Sequence, residues 1–171
     1  MLILGSTGSI GQSTLEVIKA NNKDFSISGL VAKSNKKLLL EQANKFNVKK
    51  ICLINNDSKN DIFVSESEIE DLIFSDQVDI VVAAISGIAG LKTILSSIKA
   101  GKRILIANKE PLVAAGQILM KEAKKSNSEI IPIDSEHCAI HQCLKNIKRE
   151  DLNRIITVSY THLTLPTICS V

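Results

Sequence analysis

Met1-Leu2-Ile3-Leu4-Gly5-Ser6-Thr7-Gly8-Ser9-Ile10-Gly11 opens the chain: a short apolar run, then three glycines spaced GxxGxxG. An amphipathic stretch follows over residues 12–21, with Leu15, Val17 and Ile18 apolar, so the segment reads strand, Gly-rich turn, helix. The missing side chains of Gly5, Gly8 and Gly11 allow a tight turn, close approach of a pyrophosphate and close helix-to-strand packing. N–H groups at the helix start then meet the anion. A nucleotide-phosphate loop is the expectation, and a purely structural glycine turn is the alternative.

The alternation continues outward from that turn. Strands are expected over residues 25–31, 50–54, 78–84, 103–107 and 129–133, with a short one at 62–64 after a polar loop at 55–61, and a last one over 154–159. Helices are expected over Lys36–Phe46 (Leu38, Leu39 and Ala43 inward), Glu66–Phe74 (Ile69, Leu72 and Ile73 inward), residues 89–100 with Gly101 just past the end, residues 109–126 with Pro111 in the first turn, and Ser135–Leu144. The run at 78–84 is almost wholly apolar, as a strand covered on both faces should be. Strands alternating with helices imply an α/β fold, a Rossmann-like doubly wound parallel sheet with right-handed crossovers. Residues 1–133 form that domain in this reading, and residues 134–156 begin a second, catalytic domain. Residues 157–171 carry no Asp, Glu, Lys or Arg and are expected to lie outside the fold as a non-native tail.

Composition narrows the function. The chain has 171 residues, 44% hydrophobic and 23% charged, which suits one domain or one domain with the start of another. Lys and Arg number 21 against 18 Asp and Glu; the net +3 is scattered, and one Tyr with four Phe offers few stacking platforms, so nucleic acid is not the expected partner. No apolar run reaches the roughly 18 residues of a membrane span, and the N-terminus shows no signal or transit pattern. A cytoplasmic protein with reduced Cys52, Cys138, Cys143 and Cys169, none in CxxC spacing, is expected.

Four further segments carry chemistry. No acidic residue follows the second expected strand; Ala32-Lys33-Ser34-Asn35-Lys36-Lys37 offers a hydroxyl, an amide and cations, favouring NADP over NAD, or forms a solvated basic helix start. Small residues over 82–90 leave room where a cofactor would cross the carboxyl edge of the sheet, or serve tight helix packing. Asn108-Lys109-Glu110 presents an amide, a cation and a carboxylate at the same edge; Lys109 suits a substrate phosphate or carbonyl, while Asn108 as helix cap and Glu110 at the helix dipole are the plain alternative. Asp134-Ser135-Glu136 places two carboxylates one residue apart, suited to Mg²⁺ or Mn²⁺, with capping by Asp134 or Ser135 as the alternative. His137 and His141 share a helix face, but Cys138 and Cys143 do not complete a zinc set.

Taken together, GSTGSIG at residues 5–11, AISGIAGL at 84–91, ANKEPLV at 107–113 and PIDSEHCAIHQCL at 132–144 closely resemble the 1-deoxy-D-xylulose 5-phosphate reductoisomerases. The resemblance covers residues 1–144. It implies NADPH-dependent, divalent-metal-dependent rearrangement and reduction of 1-deoxy-D-xylulose 5-phosphate, a small sugar phosphate, to 2-C-methyl-D-erythritol 4-phosphate for isoprenoid synthesis, by a protein homodimeric at full length. It further implies that Thr7, Gly8, Ser9 and Ile10, flanked by Gly5 and Gly11, hold the pyrophosphate, that Lys33, Ser34 and Asn35 hold the 2′-phosphate, and that Asn108 and Glu110 lie on the nicotinamide side. By the same resemblance Lys109 and Ser135 touch substrate, and Asp134 and Glu136 are metal ligands supporting catalysis. Ser34 stands where the family often has a basic residue, and His141 replaces an aromatic. Family chains are about twice this length and carry a third metal ligand, so this chain is expected to be inactive alone. The alternatives weighed are another two-domain NAD(P) oxidoreductase, such as a homoserine-dehydrogenase-like protein, and a non-catalytic NADP(H)-binding module.

Overall fold

The computed structural model describes residues 1–55, 63–160 and 166–170. The chain divides into two compact units, Met1–Pro132 and Ile133–Val171. In the first, β1 (Leu2–Leu4), β2 (Gly29–Ala32), β3 (Ile51–Leu53), β4 (Ile80–Ala83), β5 (Arg103–Ile106) and β6 (Ile130–Pro132) form one parallel sheet in the order β3-β2-β1-β4-β5-β6. Helices α1 (Ser9–Ala20), α2 (Lys36–Phe46), α3 (Glu66–Phe74), α4 (Leu91–Lys99) and α5 (Glu110–Ser126) connect the strands. The expected doubly wound sheet is present, with its strand order reversing between β1 and β4.

The core follows from strands buried on both faces. Leu2, Ile3 and Leu4 are each almost fully buried, as consecutive residues can be only where helices cover both sides. Leu2, Leu4, Val31, Cys52 and Val81 pack with Ile69, Leu72 and Ile73 of α3, the three side chains expected inward. Across the switch, Ala83, Ile104 and Ile106 pack with Ile94 and Ile98 of α4 and with Leu119 and Ala123 of α5. Each such Leu, Ile or Val side chain contributes about 2 kcal/mol by leaving water.

Several boundaries differ from expectation for local reasons. The first helix begins at Ser9 rather than near Gln12, because Gly8 is the extended N-cap (φ −76°, ψ 170°) and everything after it is helical. Strand β2 begins at Gly29, opposite Leu2, rather than at residue 25; ahead of it Met1 donates to Ser26 O and accepts from Ser28 N–H, both at 2.7 Å, without residues 25–28 forming part of the strand. Val64 makes one strand-like hydrogen bond, from its N–H to Ile51 O at 2.9 Å, but Phe63 and Val64 form no strand; Ile62 and the loop residues 56–61 lie outside the described residues. A 3-10 turn, Gly87–Gly90, precedes α4 and delays its start to Leu91. Gly101 ends α4 as expected: at φ +68° its N–H donates to Ile98 O at 2.9 Å and that of Lys102 to Ser97 O at 3.1 Å, a Schellman motif. Ala115 (φ −140°, ψ 20°) kinks α5, which sequence periodicity did not indicate.

The second unit contains α6 (Ser135–Leu144), a 3-10 turn at Arg149–Asp151, and strands β7 (Ile156–Tyr160) and β8 (Pro166–Ser170), paired antiparallel in a sheet of their own. Strands β7 and β8 pair with each other and with no strand of the six-stranded sheet.

Candidate functional site

The glycine turn is held by backbone on two sides. The N–H groups of Gly5 and Ser6 both donate to Val31 O of β2, at 2.8 and 2.9 Å, and Ala84 N–H donates to Leu4 O at 2.9 Å. Gly5 has φ +87°, and a Cβ there would lie 2.4 Å from Ala84 O. A Cβ on Gly11, within α1, would lie 2.3 Å from Gly5 O and 2.6 Å from Ser6 Cα. So the first glycine permits the turn and the approach of β4, and the third lets α1 close onto the loop. Gly8 sits at the rim, where a Cβ would meet Gly5 O at 3.4 Å.

Gly8 offers no side chain to cap α1, and no side-chain cap is present. Among the described residues, the N–H groups of Thr7, Ser9, Ile10 and Gly11 have no backbone acceptor. Orphan donors at a helix start carry the positive end of the macrodipole and suit an anion. Gly8, Ser9 and Ile10 are exposed, so the donors are reachable. The loop carbonyls face the other way: Gln42 Nε2 of α2 donates to Ser6 O at 2.9 Å, and Gln12 Nε2 of α1 donates to Thr7 O at 3.0 Å.

The two other motifs of this unit meet at the same carboxyl edge. Asn108 Nδ2 donates to Ile85 O, so the segment after β5 is tied to the segment after β4. That corrects the capping alternative for Asn108: the N-cap of α5 is Lys109, and no side chain caps that helix. Lys109 and Glu110 are exposed, with Glu110 in the first turn, where a carboxylate favours the helix dipole. Beside them a cavity of about 120 Å³ opens between the ends of β1 to β4 and helices α3 and α4, lined among others by Leu4, Val31, Cys52, Ile54, Ile85 and Thr93. Its polar rim is Glu70, which accepts from Ser96 Oγ at 2.8 Å and pairs with Lys92 at 3.0 Å; Lys92 first and Ser96 second hold the Glu70 carboxyl below its ordinary range. Burial first, then Glu66 and Glu68, pushes the Cys52 thiol up to about 11, so it lines the cavity as a neutral apolar group. Sequence reading missed this cavity, although its lining comes from strand ends that the sheet order places together.

Lys33 and Ser34 are exposed at the end of β2. Asn35 is the N-cap of α2, its Oδ1 accepting from Leu38 N–H at 3.2 Å, so its carbonyl oxygen is used structurally and its amide nitrogen is the donor it can present.

In the second unit, Asp134 is the N-cap of α6, two residues beyond the end of β6. Its Oδ2 accepts from His137 N–H at 3.3 Å and lies 2.6 Å from His137 Nδ1. Ser135 Oγ donates to Glu136 Oε2 at 2.9 Å. Among the described residues no group of three His, Cys, Asp or Glu side chains could hold a metal ion.

A six-stranded parallel sheet of this order, with a glycine turn and an open helix start at its reversal point, defines a Rossmann-like α/β protein. The family model for 1-deoxy-D-xylulose 5-phosphate reductoisomerase matches residues 1–116, and the chain belongs to that family. It is 41% identical over 166 residues to the 1-deoxy-D-xylulose 5-phosphate reductoisomerase of Thermoanaerobacter sp. (strain X514), covering 91% of this chain and 43% of the relative. Among solved structures, it resembles the reductoisomerase from Zymomonas mobilis in complex with NADPH, with TM-score 0.76 and 34% identity over 83% of this chain and 40% of that one. It also resembles a DOX-P reductoisomerase in complex with NADPH, fosmidomycin and magnesium, with TM-score 0.77 and 41% identity over 83% and 38% of the two chains. The chain thus spans less than half the length of the relatives it matches. Family membership decides against a homoserine-dehydrogenase-like protein. Among the described residues no helix is long and apolar enough to cross a membrane.

Proposed function

We propose that this chain is the NADPH-binding part of an enzyme that rearranges 1-deoxy-D-xylulose 5-phosphate and reduces the product to 2-C-methyl-D-erythritol 4-phosphate, acting in the cytoplasm and homodimeric at full length. The observation that carries the reading is the uncapped start of α1 beside the Gly5 to Gly8 turn, at the reversal of strand order. The cradle fits a dinucleotide, because side chains at Gly5 and Gly11 would collide with the backbone that shapes it. Relatives of the same family are solved with NADPH.

In this reading the N–H groups of Thr7, Ser9 and Ile10 surround the pyrophosphate, Gly8 lets it approach the backbone without a side chain in the way, and Gly5 and Gly11 keep the loop tight around it. Lys33, Ser34 and the Asn35 amide receive the 2′-phosphate, where a carboxylate would repel it. The cavity bordered by Val31, Ile54 and Ile85 takes the adenine, whose flat apolar faces suit its lining. When bound, NADPH supplies a hydride to a carbonyl carbon of the rearranged substrate. Asn108, fixed to Ile85 O, and Glu110 border the nicotinamide end, and Lys109 extends its ammonium toward the sugar phosphate. Ser135 adds a hydroxyl to the substrate side. Asp134 and Glu136 contribute two hard oxygen donors toward a Mg²⁺ or Mn²⁺ set that they do not complete by themselves.

Amide chemical shifts on adding NADPH to the 171-residue chain test the cofactor reading. The largest changes are expected at Thr7, Ser9, Ile10, Lys33, Ser34 and Ile85. Changes confined to other surfaces would contradict it.

A further inference from the structure

Gln42 is the one mid-helix glutamine of α2 and is almost wholly buried, with 6% of its surface exposed. It lies in the groove between α1 and α2, beside Leu15, Leu38 and Phe46. Nothing in its helix explains an amide there, and an apolar side chain would fill the groove without a desolvation cost. Instead its Nε2 reaches across 36 residues of sequence to donate to Ser6 O at 2.9 Å. The arrangement carries a penalty: Gln42 Oε1 and Ser6 Oγ are both buried and find no protein partner. Ser6 itself is fully buried, and its N–H is already tied to Val31 O.

The geometry gives the bond a directional effect. A trans peptide is planar, so the carbonyl of Ser6 and the N–H of Thr7 point in opposite directions. Holding Ser6 O into the α1–α2 groove turns the Thr7 N–H away from that groove, toward the mouth of the turn. Gln12 repeats the device one peptide later by donating to Thr7 O at 3.0 Å. Gly8 N–H is then taken up by Gly5 O at 3.1 Å, which leaves Thr7 as the turn's donor ahead of the helix start.

We propose that Gln42 is a positioning residue of the phosphate loop: its buried amide fixes the Ser6–Thr7 peptide so that Thr7 N–H faces a dinucleotide pyrophosphate. The inference rests on the dinucleotide reading of the turn and assigns to α2 a second task beside carrying the 2′-phosphate segment at its start. Gln42 does not touch the ligand.

The test uses the 171-residue chain and three ligands: NADPH, ADP, which has a pyrophosphate and no 2′-phosphate, and adenosine 2′-monophosphate, which has the reverse. Calorimetric affinities are compared for the parent, Gln42→Met, which removes the donor at similar volume, and Gln42→Asn, which keeps the amide but is too short to reach Ser6 O. Both variants should bind NADPH and ADP about tenfold more weakly while binding adenosine 2′-monophosphate within about twofold of the parent. Their melting temperatures should not follow that split. Equal losses for all three ligands, or none for ADP, would overturn the inference and leave the cofactor reading standing. If Gln42→Met fails to fold, the contrast in Gln42→Asn decides alone. A parent chain that binds none of the three removes the cofactor reading and the inference with it.

Discussion

A Cβ on Gly5 would lie 2.4 Å from the backbone oxygen of Ala84, so the turn after β1 and the end of β4 meet across bare backbone where the strand order reverses. Relief requires moving either the turn or the fourth strand. Gly5→Ala should therefore lose at least about 2 kcal/mol of stability, from the positive φ and the collision together. Gly87 offers the control: its φ of +72° is similar, but a Cβ there meets nothing within 4 Å. Gly87→Ala should cost only about 1 kcal/mol. Urea unfolding of both variants checks the contrast, and equal losses would contradict it.

Cys52 predicts an alkaline limit. Its folded thiol titrates at about 11, above the ordinary 9.0, so the fold holds the proton that the unfolded chain releases first. The contribution is fully present below about pH 9 and falls away as the pH rises toward 11. Comparing the parent with Cys52→Val over that window isolates this group from the lysines. The parent should lose of order 1 kcal/mol relative to the variant. Parallel pH profiles would refute the assignment.

Cofactor choice should turn on the exposed pair at the end of β2. Ser34→Asp places a carboxylate where a 2′-phosphate is received, and a ribose hydroxyl accepts what the phosphate cannot. The ratio of NADPH to NADH affinity should fall at least about tenfold, the direct effect of like charges at short range. An unchanged ratio would place the 2′-phosphate elsewhere.

The carboxylates of the second unit lead to a negative result. Asp134 serves as a helix cap bonded to His137, and the described residues contain no group of three side chains able to hold a metal ion. The 171-residue chain should bind NADPH yet leave it unoxidised in the presence of 1-deoxy-D-xylulose 5-phosphate and Mg²⁺ or Mn²⁺. Absorbance at the reduced nicotinamide band reads this directly, and steady turnover would show that the chain completes the site.

Much of the fold was legible because its signals are local. Three glycines after Leu4, apolar runs of strand length and Gly101 past a helix each act within a few residues, and the parallel sheet follows from their alternation. Where the local signal misled, the outcome was set across the chain: residues 25–27 have the composition of a strand, but the ladder with β1 opens at Gly29, with Met1 N–H donating to Ser26 O ahead of it. The site was legible in its loops and not in its supports. Asn108 looks like a cap beside Lys109, and only the fold brings it to Ile85 O. Gln42 in Lys36–Phe46 looks like any polar helix residue, since its partner lies 36 residues upstream. The cavity near Cys52 is likewise a product of strand ends from four segments.

The most direct measurement is a calorimetric titration of the chain with NADPH and, separately, with NADH. The cradle at Gly5 to Gly11 together with Lys33 and Ser34 predicts saturable binding of one molecule of NADPH, with NADH at least about tenfold weaker. Binding of neither, or equal affinity for both, would contradict the account.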